Sequence, residues 1–277
     1  MEDLKIDLRK GDNRVIMKQL LKEGVKVDLT VTSPPYDNMR TYKGTLEWGE
    51  EVWKDIIQNL YKLTKDGGVV VWIVNDSTKK GSESGTSFKQ ALYAMEVGFN
   101  LHDTMIWKKT NPFNFGSNNC YIQSFEYMFI FSKGKPKSIN FIKDRKNKTY
   151  GNKGKQQRRT RNGDFMEYED KEWEVKEYGK RYNIWEYPSS TKYKNHTAVF
   201  PKELVKDMVL SWSNKGDTVF DPFMGSGTTG TISKELNRSF VGCEKVDEFF
   251  KDSVERILEI KVDGLRDRYT EYYEKVL

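Results

Sequence analysis

A mostly parallel, twisted α/β sheet with helices on both faces is the fold predicted by this 277-residue chain. Three observations carry that expectation. Strand-like and helix-like segments alternate along most of the sequence. A glycine-rich loop joins one strand directly to one helix, and a proline-stiffened polar segment closes another strand. The length is enough to bury a full core, in one large domain or two small ones.

The elements follow in order. Val27-Asp28-Leu29-Thr30-Val31 reads as a short buried strand, ended by Pro34-Pro35. Val52, Ile56, Leu60 and Leu63 are spaced by three and four, which predicts an amphipathic helix over Glu51–Leu63, with Asp66-Gly67-Gly68 as its stop. Val69–Val74 is the next strand, Phe88–Val97 the next helix, and Thr104–Trp107 and Tyr127–Phe131 two more strands. From about Lys133 to Tyr182 the chain turns polar and basic, rich in Gly and Asn, with little apolar periodicity. That segment is expected to be an insertion, leaving 1–132 and 183–277 to form the α/β domain. Pro201–Trp212 reads as a helix with proline at its first position. The strand Thr218–Phe220, the helix Thr228–Leu236, the strand Ser239–Cys243, a helix near Glu248–Ile260 and a C-terminal helix complete the order.

Charge is unevenly placed. Between Lys133 and Arg161 twelve Lys or Arg face one acid, Asp144, so this stretch carries +11 of a net +6 and the remainder sums to −5. A basic region on a slightly acidic body suits a polyanionic partner, and equally a solvated loop; composition leaves both open. The amino-terminal residues lack the apolar run of a signal peptide, and no apolar run is long enough to span a bilayer, so a cytoplasmic protein is expected. Cys120 and Cys243 lack metal-ligand spacing, which argues against a disulfide framework and a cysteine zinc site, and no metal is expected.

Asp221-Pro222-Phe223-Met224-Gly225-Ser226-Gly227-Thr228-Thr229-Gly230 follows one strand and opens one helix, with G-x-G-x-x-G spacing at Gly225, Gly227 and Gly230. Glycine lets the backbone turn sharply and approach a ligand closely. Glu244 ends the next strand, nineteen residues after Gly225, where an acid accepts hydrogen bonds from ribose hydroxyls. The spacing alone would also serve a nicotinamide dehydrogenase. Asp221, however, would repel a pyrophosphate, whereas S-adenosylmethionine is cationic at sulfur and amine.

Thr32-Ser33-Pro34-Pro35-Tyr36 lies at the carboxyl end of the Val27–Val31 strand, the position at which open α/β sheets place chemistry. An exocyclic amino nitrogen of a base is a poor nucleophile, because its lone pair is delocalised into the ring. Acceptors aimed at its two hydrogens favour the tetrahedral geometry and positive charge that develop on methylation. Ser33 Oγ and the Pro34 carbonyl offer two such acceptors, the prolines fix the backbone, and Tyr36 offers a face on which an extruded base stacks.

These two motifs, Thr-Ser-Pro-Pro-Tyr early and Asp-Pro-Phe-x-Gly-Ser-Gly-Thr-Thr late, resemble the amino-methylating DNA methyltransferases of bacteria and their phages. Their order resembles the circularly permuted β group. Gly11-Asp12, Phe99 through Trp107-Lys108, Phe125-Glu126-Tyr127, His196-Thr197-Ala198-Val199-Phe200-Pro201, and Arg238 through Glu244 with Val246–Ile257 match further family segments in the same order. The resemblance covers nearly the whole chain except about 133–182. It implies a Rossmann-like methyltransferase fold, S-adenosylmethionine as cofactor, and double-stranded DNA as substrate. Cofactor contacts then fall on Asp12, Thr32, Asp221, Phe223, Gly225, Ser226, Gly227, Thr228 and Glu244, and catalysis on Ser33, Pro34, Pro35 and Tyr36. It also implies that the basic stretch is the target-recognition region, where Gln156, Gln157, Arg158, Arg159 and Arg161 are types able to read base edges. A homodimer and a cognate restriction endonuclease are partners that the resemblance admits.

Ser-Pro-Pro-Tyr is the family form typical of cytosine N4 enzymes, so cytosine N4 is the expected target, with adenine N6 as the alternative. Cytosine C5 chemistry is excluded, because neither cysteine sits in a Pro-Cys setting. An RNA methyltransferase and a DNA-binding module without activity are further alternatives; the intact motifs argue against the second. Phe223 divides evenly between cofactor contact and core. His196 is expected to be structural, Glu126 is left open between orienting the catalytic loop and satisfying buried backbone, and Trp173, Trp185 and Tyr187 are expected in the core.

Overall fold

The computed structural model describes residues 4–35, 48–112, 120–155, 162, 172–189 and 199–259. They fall into two units, one formed by Met1–Asn140 with Ile184–Leu277, the other by Phe141–Asn183. Among the described residues no helix is long and apolar enough to cross a membrane.

The first unit is built on one eight-stranded sheet. Its strands are β1 Ile6–Lys10, β2 Val27–Thr32, β3 Thr64–Val74, β4 Asn100–Lys109, β5 Phe125–Ser132, β6 Ile184–Tyr187, β7 Thr218–Asp221 and β8 Ser239–Glu244. Across the sheet they lie in the order β1-β8-β7-β2-β3-β5-β4-β6. Only β5 runs against its neighbours, pairing antiparallel with β3 and β4, so the sheet is mostly parallel. The helices are α1 Asn13–Lys22, α2 Glu50–Leu63, α3 Thr86–Val97, α4 Lys202–Trp212, α5 Thr228–Glu235 and α6 Asp247–Leu258.

Alternation along the strands sorts the core into two layers. Val70, Trp72 and Val74 of β3, Phe129 and Phe131 of β5, and Val241 and Cys243 of β8 share one cluster with Ile16, Met17 and Leu20 of α1, five apolar side chains of α2, and Ala91 and Ala94 of α3. The intervening residues face the other way. There Phe240 packs so tightly on α5 that a Cβ at Gly230 would come within 2.7 Å of its ring and 2.5 Å of Ile257 on α6. Burial on both faces explains the near-continuous apolar run of β3.

Helix α2 ends at Leu63, as read from the sequence, but what stops it is not Asp66-Gly67-Gly68, because the chain is already extended at Thr64. Thr64 causes this locally, because its hydroxyl caps the Leu60 carbonyl at 2.7 Å while its own backbone turns extended. Gly67, at φ +78°, and Gly68 lie inside the strand, where a Cβ on Gly68 would meet the Asp28 carbonyl oxygen at 3.0 Å. Pro201 is the residue before α4 rather than its first. Strands β1 and β6 were not read from the sequence, and the expected C-terminal helix lies outside the described residues.

The second unit holds two short antiparallel ladders, Arg145–Lys146 with Tyr178–Gly179 and Lys153–Lys155 with Glu172–Glu174. Cation–ring contacts of Arg145 with Tyr182 and Lys180 with Phe141, and an Arg181–Asp144 ion pair, tie it together.

Candidate active site

Parallel strands bring their carboxyl ends to one edge. The order β1-β8-β7-β2 sets Gly11-Asp12, Glu244, Asp221 and Ser33 in a row there, on four adjacent strand ends. The two motifs, nearly two hundred residues apart in sequence, are joined directly: Thr32 Oγ1 donates to Asp221 Oδ1 at 2.7 Å. Thr32 pairs with Trp72 on β3, so Ser33 continues beside Ile73; Pro34 behind it is buried, while Ser33 and Pro35 are half-buried.

Asp221 is the electrostatic centre. It is 2 % exposed, and accepts from Thr32, from the Phe223 amide at 3.0 Å and from Thr229 Oγ1 at 2.8 Å. Burial nevertheless dominates, raising its pKa to about 6 against those hydrogen bonds, with Glu244 adding to the rise. Glu244 accepts from the amides of Gly225 at 3.0 Å and Val246 at 2.8 Å, and burial raises its pKa as well. Cys243 between them is buried, and its thiol is pushed well up for the same reason, which makes it inert. Asp12 differs: it caps α1 through the Arg14 amide, pairs with Arg14 at 3.0 Å, and that pairing lowers its pKa.

The loop between β7 and α5 is held from within. Gly225 and Gly227 have φ of +52° and +76°, a region only glycine enters freely. The Met224 amide returns to the Cys243 carbonyl, and Asn13 Nδ2 reaches the Pro222 carbonyl at 3.2 Å. Ser226 and Thr228 point to each other and to Arg256 of α6, whose Nη1 reaches the Ser226 carbonyl at 3.0 Å and Thr228 Oγ1 at 3.0 Å. Phe223 is half-buried against the core and meets Trp48 edge-on at 5.8 Å.

Sequence reasoning missed Thr229, the second hydroxyl on Asp221, and Arg256, which grips the loop from 28 residues beyond Thr228. Nothing local to either residue signals these contacts. Glu126 is buried and ion-paired with Lys109 at 2.7 Å. Trp185 is in the core as expected, and Tyr187 is half-buried with its hydroxyl on Asp207. Trp173 departs from expectation: it is 42 % exposed, with its ring over Gly154 of the facing strand in a short two-stranded ladder. Tyr36, His196, Gln156, Gln157, Arg158, Arg159 and Arg161 lie outside the described residues.

A buried carboxyl group, Asp221, and a half-buried one, Glu244, neither ion-paired among the described residues, sit beside a close-turning glycine loop. This donor set fits a ligand with ribose hydroxyls and positive charge, and disfavours a pyrophosphate. Fold and site together define a Rossmann-like methyltransferase using S-adenosylmethionine. The family model described as DNA methylase, covering N6 and N4 methyltransferases, matches residues 27–255. The orphan methyltransferase M.BamHII of Bacillus amyloliquefaciens is 51% identical over 240 residues, covering 83% of this chain and 88% of that protein. The type II methyltransferase M.SmaI of Serratia marcescens is 28% identical, over 90% and 89% of the two chains. A solved complex of M1.HpyAVI with SAM superposes with a TM-score of 0.61 at 25% identity, covering 91% of this chain and 99% of that one. The chain belongs to the N6/N4 DNA methylase family, and is an S-adenosylmethionine-dependent DNA methyltransferase acting on amino groups.

Proposed function

We propose that this enzyme methylates N4 of cytosine in duplex DNA, on a base turned out of the helix. The observation that carries the reading is Ser33-Pro34-Pro35 directly after Thr32 at the end of β2, with the Thr32 hydroxyl donating to Asp221 of the glycine loop. The serine in first place favours cytosine; adenine N6 is the second reading, since both bases present the same amino group.

S-adenosylmethionine, when bound, supplies an electrophilic methyl group on a sulfonium. Asp221 and Glu244 would hold its cationic and ribose portions, Asp12 and Phe223 its adenine side, and Gly225 and Gly227 the close backbone approach. Ser226 and Thr228 act here through the loop, which Arg256 fixes. Ser33 Oγ and the Pro34 carbonyl accept the two amino hydrogens, and Tyr36 stacks on the base. The amino nitrogen would take up that methyl, the cofactor leaving as a neutral thioether, and the methylated nitrogen would pass one proton to solvent water. The aminium is far more acidic than the amine, so no strong base is required.

Gln156, Gln157, Arg158, Arg159 and Arg161, in the basic stretch, are the proposed readers of the site. A cytoplasmic location and a cognate endonuclease are consistent with the type II relative. A homodimer finds support in α3, where Phe88, Leu92 and Met95 form an exposed apolar stripe flanked by Lys89 and Glu96. Antiparallel pairing with a second copy would set each lysine against the other copy's glutamate. Leu92→Glu should then yield a monomer in sedimentation velocity, and an unchanged mass would remove that face from the assembly. The function itself is tested by nucleoside mass spectrometry of treated duplex DNA, in which absence of any methylated base would refute it.

A further inference from the structure

The segment leading into β5 carries an unusual surface. Tyr121 is 102% exposed and Ile122 53% exposed, side by side at the carboxyl edge of the sheet. A lone exposed apolar residue is ordinary, but an aromatic and a branched aliphatic projecting together beside an active site call for a partner.

The backbone beneath them is anchored. Gln123 Nε2 donates to Asn75 Oδ1 at 3.0 Å, and Asn75 in turn donates to the Phe125 carbonyl at 3.2 Å. The Lys109 amide donates to the Ser124 carbonyl at 2.7 Å. The projecting pair is therefore based on the ends of β3 and β4. Strand β3 ends at Val74, paired with Tyr127, on the same edge where β2 ends at Thr32, paired with Trp72. Two strand spacings, about 10 Å, separate the starting strand of this segment from the strand that carries Ser33.

We infer that Tyr121 and Ile122 form a wedge that enters the DNA base stack beside the target nucleotide and fills the space that the extruded base leaves. The inference rests on the base-flipping reading above. DNA must lie across this edge for a base to reach Ser33, so the pair lies on a surface that the duplex already has to cover. The two described lysines at the end of β4 are already engaged, Lys108 with Glu186 and Lys109 with Glu126. What the segment presents is a flat ring and an aliphatic branch, the side-chain types that proteins insert between base steps to unstack them. Unstacking costs least where the target base is unpaired. A wedge should therefore matter for a paired target and become dispensable for an unpaired one.

The experiment compares two oligonucleotide duplexes containing the site at which the wild-type enzyme modifies DNA, mapped by sequencing. In one the target base is paired; in the other it faces an abasic position. Tyr121→Ala should slow methylation of the paired duplex at least tenfold and of the abasic-facing duplex less than twofold, and Tyr121→Phe should behave as wild type. Adding Ile122→Ala should widen the gap. Equal slowing on both duplexes, or none on either, would overturn the wedge, as would a change of oligomeric state in Tyr121→Ala, which would mark the pair as a protein–protein contact. Failure of the wild-type enzyme to modify any site in the mapping step would count against the proposed function itself, a result separable from failure of the wedge. Thermal melting of each variant guards against loss of fold.

Discussion

At Asp221 the protein tolerates a carboxyl group in a place that suits a cation better than it suits the empty fold. Its pKa stands near 6, above the ordinary 3.8, because burial outweighs three hydrogen bonds. The sign of the consequence follows from linkage. The stability this group contributes is fully present below the unfolded value and is lost as pH rises through about 6, so at pH 7 its ionised form costs the cofactor-free protein up to about 3 kcal/mol. A cationic cofactor held by Asp221, as proposed, would reverse the preference. Affinity should thus rise as pH climbs from 5 to 7, with proton release on binding, measurable by calorimetry in buffers of different ionisation heat. Asp221→Asn should flatten that pH dependence, weaken cofactor binding at least tenfold, and leave the free protein's melting temperature at pH 7 equal or higher. A lower melting temperature with unchanged affinity would contradict the account. Ser33→Ala is expected to lower the methyl-transfer rate on the order of ten- to a hundredfold with little change in cofactor affinity, the split expected of an acceptor used mainly in the transition state. Equal losses in binding and rate would remove Ser33 from that role.

Between elements, the glycine loop depends on α6 as much as on its own sequence. Arg256 holds Ser226 and Thr228 from behind, so Arg256→Ala should lower stability by about 1–3 kcal/mol and weaken cofactor binding, while Arg256→Lys recovers part of both. Gly230→Ala tests a different feature. Its Cβ would meet Ile257 and Phe240, so denaturant midpoints should fall by an amount equivalent to about 1–3 kcal/mol without a change in m-value. These couplings also mark what the sequence could and could not tell. Strand β2, helix α2 and the strand–loop–helix around Gly225 were legible because burial imposes strict apolar spacing and only glycine suits the turn. Strand β1 carries a period that the reading passed over, since Leu4-Lys5-Ile6-Asp7-Leu8-Arg9 alternates apolar and polar, whereas β6, four residues at the opposite sheet edge, is too short to show one. Thr64 ended α2 earlier than the glycines that followed, since a hydroxyl on the Leu60 carbonyl completes the helix before any residue needs positive φ. Arg256 and Thr229 were invisible because their partners are fixed by helix packing and loop closure.

Over the whole molecule, the proposed DNA-binding role of the basic stretch rests on the division of charge. The stretch from Lys133 to Arg161 carries the positive excess, while the remainder of the chain is slightly acidic. Replacing Arg158, Arg159 and Arg161 together by Gln should weaken binding to duplex DNA and lower the slope of log affinity against log salt by up to about three. Cofactor affinity should be untouched. An unchanged slope in fluorescence anisotropy would take those arginines away from the phosphates. The account stands most directly on one assay: incubation of mixed-sequence duplex DNA with methyl-labelled S-adenosylmethionine and the purified enzyme, followed by nucleoside mass spectrometry. The account predicts label in N4-methylcytosine, abolished by Ser33→Ala with Asp221→Asn; label in N6-methyladenine would contradict the choice of base, and DNA without label would contradict the function.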